Sequence, residues 1–414
     1  MKRKLSVVGN TIYNTAGSCF YLICQWLLTV LVIRLGSVEN GGILSLAMSV
    51  TNVFFTLSTF GIRGFQVSDW DHKYSTEVYF STRILTCGLG FILCTGYCLT
   101  GPGHTGYETV CVIVYMLFRI GEALSDEHQA IQQTEERMDY VFRSFVIRGI
   151  LLIGSFTVVM VTTHDLLKAI GAMAGATLLA VLLYELPVCR KLTGMRLRFD
   201  LKKSGKLLAE NAPLMANSLL MAFLVMVPRT RLDALMGNYE MGIYGSIASP
   251  AAIMQSAALW LFMPSLTVFA RYWGERRKED FFHLHHRILL MLAGVMAVIF
   301  IGAQVMGRWG LKLLFGEEVA GYAYLLLPTL VTTALIAGEY YLSSLLTVTR
   351  SLWMIAAANA AALVLTFILS EPLIRAGGMQ GVNNMLYISM GVNCLIQYII
   401  FRRDTARHFS GESN

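Results

Sequence analysis

Charged residues are scarce in this chain. Only 14% of its 414 residues are Asp, Glu, Lys or Arg, whereas 55% are hydrophobic. A soluble protein of this size and composition would have to expose large apolar patches to water. The shortage of charge therefore excludes an ordinary soluble globular protein, and it indicates that a lipid bilayer is the solvent.

Several chemical signatures are also missing. The eight cysteines form no C-x-x-C pair, and most of them lie inside apolar runs, where core packing is expected. The sequence has no G-x-x-x-x-G-K-[ST] loop and no H-E-x-x-H motif. We therefore predict no catalytic residues, no cofactor and no direct use of ATP. The cluster of His283, His285 and His286 lies among basic residues, so a solvated interfacial helix is favoured there over a metal site.

Long apolar runs are abundant instead. A membrane-spanning helix needs about 20 such residues. The candidate spans cover 7–33, 41–62, 79–100, 108–124, 145–163, 166–188, 208–228, 242–268, 288–307, 322–346, 351–370 and 380–401. The sequence thus predicts an all-α polytopic membrane protein with about 12 transmembrane helices.

Basic residues alternate with these spans. Of the 33 Lys and Arg residues, 26 fall in the N-terminus, the even-numbered connections and the C-terminus, or inside a span within about six residues of one of these segments. By the positive-inside rule, that side and both termini are cytoplasmic. The net charge of +7 is spread over short connections, so membrane lipids with anionic headgroups are the expected partner, and nucleic acid is not.

A weak internal repeat relates the two halves. A shift of 201 residues aligns Leu35-Gly36-x-x-Glu39-x-Gly41 with Met236-Gly237-x-x-Glu240-x-Gly242. Six spans per half would give halves of parallel topology. We therefore expect two pseudo-symmetric six-helix lobes around a central cavity. The expected domains are an N-terminal lobe at 1–189, a cytoplasmic basic linker at 190–206, a C-terminal lobe at 207–403 and a cytoplasmic tail at 404–414.

The fourth span carries the most regular polar pattern. Polar residues follow one another at steps of three or four, which places them on one helical face: Arg119, Glu122, Asp126, Gln129, Gln133 and Arg137. The upper part of this face could line a cavity, or the whole face could be solvated and closed by pairs one turn apart. Glu122 must face protein or water, because an acid in lipid costs about 2.5–3.5 kcal/mol.

Arginine stands out at two span ends. Arg229, Arg231 and Asp233 close the seventh span on the outer side, where Arg is disfavoured; they could hold phosphate oxygens or snorkel to headgroups. Arg63 ends the second span on the inner side. It is either a cavity residue or a simple positive-inside anchor.

Other polar residues lie inside predicted spans. Glu339 is an isolated intramembrane acid, and it is a candidate for ion or proton coupling or for a helix-packing hydrogen bond. Asn14, Gln25, Gln255 and Asn359 are candidate cavity residues, and polar contacts between helices explain each of them equally well.

Several short motifs carry a family resemblance. They are the Asn- and Ser-rich first span ending in Arg34-Leu35-Gly36, the Gly61-Ile62-Arg63 turn with Gln66 and Asp69, Arg137-Met138-Asp139-Tyr140, and Leu314-Phe315-Gly316. The chain in this respect resembles bacterial polysaccharide-biosynthesis membrane proteins, the O-antigen and capsule flippases of the multidrug/oligosaccharidyl-lipid/polysaccharide exporter superfamily.

The resemblance implies a transport function in the bacterial plasma membrane. A polyprenyl-pyrophosphate-linked oligosaccharide would pass from the inner to the outer leaflet by alternating access, without covalent chemistry. Polysaccharide-assembly proteins are possible further partners. Arg would meet pyrophosphate, while Asn, Gln and aromatic residues would meet sugar.

Two other functions fit a polytopic chain. A cation-coupled multidrug exporter of the same superfamily often uses an acid in an N-terminal-lobe span, and the first span here has none. A polysaccharide polymerase or ligase usually has a large outer loop, and every outer connection here is short. A lipid-scaffolding role without transport remains a further alternative.

Overall fold

The fold is entirely helical across the residues described. A computed structural model describes residues 7–69, 73–100, 106–194 and 198–410, without the side chains of 7, 8, 68, 251–261 and 264. Throughout these ranges the chain forms helices and turns and no strand. The predicted all-α fold class is thereby confirmed.

The chain divides into two compact units, Met1–Ala222 and Phe223–Asn414. The predicted basic linker at 190–206 lies inside the first unit, and the border between the units falls within the helix Leu201–Met236. The helices of the first unit are α1 (Val7–Leu35), α2 (Val38–Thr59), α3 (Ile62–Ser68), α4 (Thr76–Thr100), α5 (Gly106–Thr134), α6 (Met138–Thr163), α7 (Leu166–Ala180), α8 (Leu186–Thr193) and α9 (Leu201–Met236).

The second unit begins at Phe223, within α9. Its helices are α10 (Asn238–Phe262), α11 (Leu266–Gly274), α12 (Lys278–Phe315), α13 (Glu317–Ala320), α14 (Leu326–Val348) and α15 (Leu352–Ser410). Single turns of 3₁₀ helix at Met263–Ser265 and Ala323–Leu325 precede α11 and α14. The predicted eighth span is shorter than expected because α10 ends just before Pro264, which has no N–H to continue it.

Every predicted span overlaps one of these helices. In the described part of the chain, nine helices are long and apolar enough to cross a membrane. Helix α12 exposes apolar side chains along its length: Leu290, Val298 and Val305 are each more than 70% exposed. Apolar side chains exposed along a long helix are typical of a surface that faces lipid.

Helix ends follow the local sequence. The Ser37 hydroxyl accepts a hydrogen bond from the Asn40 amide and caps α2, and Asp165 accepts from the amides of Leu167 and Lys168 to cap α7. The turn after α1 at Leu35 recurs after α9 at Met236, 201 residues later. The sequence repeat is thus also a repeat of the helix–turn–helix boundary.

The last two predicted spans form one continuous helical segment with a sharp bend. Gly378 has φ 56° and ψ −134°, a conformation outside the helical region. Past the bend, a Cβ added to Gly381 would lie 2.0 Å from the carbonyl oxygen of Leu373. Only glycine allows the two arms of α15 to approach this closely.

Candidate functional site

Helix α5 carries several of the buried charges of the first unit. Its consecutive residues Asp126, Glu127 and His128 point in different directions because each residue turns the helix by about 100°, and Glu122 lies one turn before Asp126. Glu122, Glu127 and His128 have relative exposures of 7%, 0% and 1%. Ionisable groups buried to this degree inside a membrane protein need partners.

The Glu122 carboxylate is held by three donors. The Tyr21 hydroxyl and the Gln25 amide each donate to Oε1 over 2.7 Å, and Arg119 pairs with Oε2. Three predicted residues, Gln25, Arg119 and Glu122, are therefore brought together. Tyr21 was not predicted.

Arg119 also faces helix α2. Its guanidinium lies 3.7 Å from the ring centroid of Phe55, and Nη2 is 3.4 Å from the side-chain oxygen of Asn52. Asn52 is exposed although it lies near the middle of an apolar helix. An amide at that depth is expected to face protein or water and not lipid.

Asp126 is bound by two arginines. Arg63 Nη1 donates to Oδ1 over 2.9 Å, and Arg83 Nη2 donates to Oδ2 over 3.0 Å. Arg63 also donates to the side-chain oxygens of Gln129 and Gln133, over 3.2 and 3.0 Å. The predicted face of α5 therefore meets Arg63, which is a member of the cluster and not only an anchor at the span end.

Arg83 is the most deeply buried cation of this group. Its side chain has no exposed surface, donates to the Ser58 carbonyl oxygen over 3.2 Å and lies 3.4 Å from Glu127. Sequence reasoning missed both Arg83 and Glu127. The signal was available, because Arg83 lies inside the predicted span 79–100 and the rule applied to Glu122 applies equally to it.

A second buried ion group surrounds Glu185. Its carboxylate accepts from Ser125 over 2.6 Å and from Ser144, and Arg148 Nε lies 3.4 Å away. The Arg148 guanidinium stacks 4.5 Å from the Tyr21 ring, which joins this group to Glu122. Tyr21 thus connects α1 with the two charge groups.

A widened turn directs Glu185 inward. Residues Val181–Glu185 form a π-helical turn, and the amide of Leu186 bonds to the Val181 carbonyl. Pro187 has no N–H to donate to Leu183, so the regular helical ladder is interrupted there. Spacing rules for regular helices could not have predicted this orientation.

The predicted polar face ends earlier than expected. Helix α5 ends at Thr134, and Glu136 has φ 55°, so Arg137 lies beyond the helix and outside its face. Arg137 pairs instead with Asp139 over 2.8 Å, and that hydrogen bond raises the pKa of Arg137.

A cavity of about 560 Å³ opens beside Arg63. Gln133, which binds Arg63, is in its wall, as is Asp69, which accepts hydrogen bonds from the Tyr79 hydroxyl and the amides of Lys73 and Tyr74. The other lining residues are Gln66, Val67, Tyr74, Thr76, Tyr79, Thr134, Glu135 and Glu136. The wall is thus polar, aromatic and acidic.

A salt bridge ties α9 to the neighbourhood of this cavity. Lys73 Nζ lies 2.7 Å from Glu210, and this hydrogen bond raises the pKa of Lys73. Both groups are partly exposed, so solvent screens the pair and it contributes little to stability. The salt bridge holds α9 next to this cavity, because it joins residues that are 137 positions apart in the sequence.

The predicted outer cluster of the second unit is split over two helical faces. Arg229 and Asp233, one turn apart, are partly or fully buried, whereas Arg231 is exposed. Arg229 lines a small cavity of about 90 Å³ with Tyr244 and Thr332. A fork of two guanidiniums around one carboxylate is therefore not formed, because residues two apart on a helix diverge.

Glu339 lies in a network of amides in the second unit. Its Oε1 accepts from Ser343 over 2.6 Å and from Gln397 over 3.0 Å, while Oε2 is buried with no hydrogen-bond partner within the described residues. Asn393 donates to Asn359 over 2.8 Å and accepts from Gln397 over 3.1 Å. Glu339, Asn359, Asn393 and Gln397 have no exposed surface.

The two remaining predicted residues are Asn14 and Gln255. Asn14 is half-buried on α1, eleven residues before Gln25 and so on nearly the same face. Gln255 has its side chain outside the described residues.

Comparison with known proteins gives the chain a family context. Residues 7–273 match the sequence family described as "Polysaccharide biosynthesis protein". The chain is 22% identical over 322 residues to the capsular polysaccharide biosynthesis protein CapF of Staphylococcus aureus, covering 75% of this chain and 78% of that protein.

Solved structures share the fold. The inward-facing conformation of a multidrug resistance MATE family transporter of the MOP superfamily has a TM-score of 0.70, with 12% identity over 100% of this chain and 97% of the other. The lipid II flippase MurJ in an inward closed conformation also has a TM-score of 0.70, with 13% identity over 96% and 90% of the two chains.

Proposed function

Because this chain belongs to the polysaccharide biosynthesis protein family, we propose that it is a flippase for a polyprenyl-pyrophosphate-linked oligosaccharide. It carries the glycan headgroup from the inner to the outer leaflet of the bacterial plasma membrane by alternating access, with both termini in the cytoplasm. It performs no covalent chemistry. The similarity to CapF and the fold shared with a lipid II flippase support this proposal.

The observation that carries the proposal is the polar group around Arg119. A guanidinium, a carboxylate and two amides, from Arg119, Glu122, Gln25 and Asn52, meet where α5 faces α1 and α2. A lipid-facing helix would not retain them, because polar groups in hydrocarbon are costly. Such a group suits a passage through which a hydrated, hydrogen-bonding headgroup crosses.

The cavity beside Arg63 suits sugar better than phosphate. Its wall includes Asp69, Glu135 and Glu136 together with two tyrosines and two glutamines, and no lining residue is basic. Carboxylates accept hydrogen bonds from hydroxyl groups and amides both donate and accept them, whereas three acids repel a phosphate. We assign the glycan to this wall. Arg229 and Arg231 remain candidates for contact with pyrophosphate on the outer side.

Glu339 is the proposed coupling residue. A carboxyl group with no exposed surface, and with one oxygen that has no hydrogen-bond partner among the described residues, must carry a proton or neighbour a cation, since a bare buried charge is very unfavourable. The surrounding amide side chains can hydrogen-bond to the Glu339 carboxyl group whether it is protonated or ionised. Glu339→Gln keeps the acceptor for Ser343 and Gln397, so it should preserve folding while removing the response of transport to pH or to the driving ion.

Replacement of Arg119 tests the headgroup passage. Arg119→Gln should reduce surface-glycan output by at least about tenfold, since charge-assisted hydrogen bonds contribute about 1.5–3 kcal/mol. The lipid-linked intermediate should accumulate in the inner leaflet, measured by lipid extraction and mass spectrometry. Arg143→Gln, an exposed arginine on α6, is the matched control. Normal output from Arg119→Gln at normal protein level would contradict the proposal.

Multidrug export is the second candidate, because the fold matches a multidrug transporter as closely as it matches a flippase. Deletion of the protein separates the two functions. A flippase deletion accumulates the lipid-linked glycan and leaves drug susceptibility unchanged. An exporter deletion increases drug susceptibility and leaves the surface glycan intact.

A further inference from the structure

A basic cavity of about 500 Å³ lies at one end of the second unit. Three segments enclose it, namely the turn after α11, the turn between α14 and α15, and the C-terminal end of α15. They are distant in sequence, yet the charge pattern independently places all three on the cytoplasmic side. We call this space the basic cavity.

Four arginines line the basic cavity: Arg276, Arg350, Arg403 and Arg407. The single lining acid, Asp404, already accepts a hydrogen bond from Ser351 over 2.5 Å and lies 3.4 Å from Arg403. Most of the positive charge therefore remains uncompensated within the wall. Converging guanidiniums are suited to phosphate oxygens, which they can bind through paired N–H groups.

A rigid wall supports these arginines. The His408 ring stacks on Trp273 with centroids 3.8 Å apart, and its Nε2 lies 2.8 Å from the Trp273 carbonyl oxygen. The contact fixes the end of α15 against the turn that carries Arg276. The cavity is thus held open by packed rings and does not depend on one mobile loop.

The start of α15 adds two further features. Leu352 and Trp353 begin this long helix in the cavity wall, so the positive end of its dipole faces the space. Their side chains are 41% and 76% exposed. An exposed tryptophan beside arginines is typical of a membrane–water interface.

From these observations we propose that the basic cavity binds the phosphate of an anionic phospholipid headgroup from the cytoplasmic leaflet. The arginines and the helix start recognise the phosphate, which a soluble phosphate would share. Trp353 and Leu352 favour the lipid as its source, because an apolar lip beside the site can contact the glycerol and upper acyl region. This site is separate from the proposed headgroup passage, and it does not depend on the transport function.

The backbone offers a way to remove charge without damaging the fold. Arg276 and Arg350 have φ values of 54° and 63°, in the left-handed region that disfavours L-residues other than Asn and Asp. Glycine adopts this conformation freely. Arg276→Gly and Arg350→Gly should therefore leave the thermal midpoint unchanged or raised while each removes one guanidinium.

The binding test uses the full-length protein in detergent. Isothermal titration calorimetry with short-chain phosphatidylglycerol should show binding that weakens with salt. The Arg276→Gly/Arg350→Gly double variant should bind at least about tenfold more weakly, since each lost contact is charge-assisted. The matched control is Arg402→Gln, an exposed neighbour outside the cavity wall, which should bind as the wild type does.

Two further titrants distinguish a phospholipid from a soluble phosphate as the source of the bound phosphate. Short-chain phosphatidylcholine should bind much more weakly than phosphatidylglycerol, and inorganic pyrophosphate should not match the lipid. Equal binding of phosphatidylglycerol by the double variant and the wild type would overturn the site. Pyrophosphate that bound as tightly as the lipid, and lost binding in the double variant, would overturn the lipid as the source.

Discussion

Arg83 Nη2 lies 3.0 Å from Asp126 Oδ2, and the Arg83 side chain has no exposed surface. The contact joins α4 to α5 at the centre of a group that also includes Arg63 and Glu127. Two arginines and two acids balance one another there. The group therefore holds α4 and α5 together, and it is also part of the polar region of the first unit.

Arg83→Gln should destabilise the protein strongly. It leaves Glu127 buried without its cation, and removing one partner of a buried ion pair typically costs about 3–5 kcal/mol. Thermal unfolding in detergent, followed by circular dichroism, should show a midpoint well below that of the exposed control Arg143→Gln. Equal midpoints for the two variants would show that the pair contributes no net stability.

Tyr21→Phe isolates a single hydrogen bond. The phenylalanine ring can still stack under Arg148, but the donor to Glu122 is lost, so we expect a loss of about 1–3 kcal/mol. The measurement is again thermal unfolding. Tyr13→Phe, on an exposed position of the same helix, is the control. A shift no larger than that of the control would mean that Gln25 and Arg119 satisfy Glu122 alone.

Gly381→Ala should strain the bend in α15. Its added Cβ would lie 2.0 Å from a backbone oxygen that cannot move freely, and overpacking of this kind costs about 1–3 kcal/mol. Gly377→Ala meets nothing within 4 Å and should be neutral or stabilising. If both variants had the same melting temperature, the close approach of the two arms would be incorrect.

Labelling with a membrane-impermeant maleimide tests the orientation. Arg375→Cys and Lys168→Cys, with side chains 64% exposed, should react in intact cells because the charge pattern places them outside. Lys278→Cys and Arg407→Cys should react only after permeabilisation. The wild-type protein controls for its own eight cysteines. The reverse pattern would invert the assigned topology.

The helices and their turns could be predicted from the sequence because each depends on local pattern. Apolar runs about 20 residues long predicted the spans, and the repeat of Leu35-Gly36 at Met236-Gly237 marked two corresponding turns. The pairing of Arg63 with Asp126 could not be predicted, since it joins residues 63 positions apart and depends on how α3 packs against α5. The inward orientation of Glu185 could not be predicted for a different reason: the π-helical turn Val181–Glu185 breaks the regular helical spacing.

The outer arginines show that residues close in sequence need not form a cluster in the structure. Arg229 and Arg231 are close in sequence, but a helix separates such residues by about 200° of rotation. Only Arg229 reaches the small cavity beside Tyr244. Conversely, Gln25 and Glu122 are remote in sequence and in direct contact. Helical phase and tertiary packing, and not proximity along the chain, decided which predicted residues met.

The bend at Gly378 also bears on how the chain enters the membrane during synthesis. The bend contains no loop, so the first arm of α15 cannot be held outside the bilayer while the second arm is synthesised. Asn359 on one arm accepts from Asn393 on the other over 2.8 Å, and this hydrogen bond can form in the membrane only when both arms are present. The two arms should therefore leave the translocon together as a helical hairpin that already carries its own hydrogen bonds.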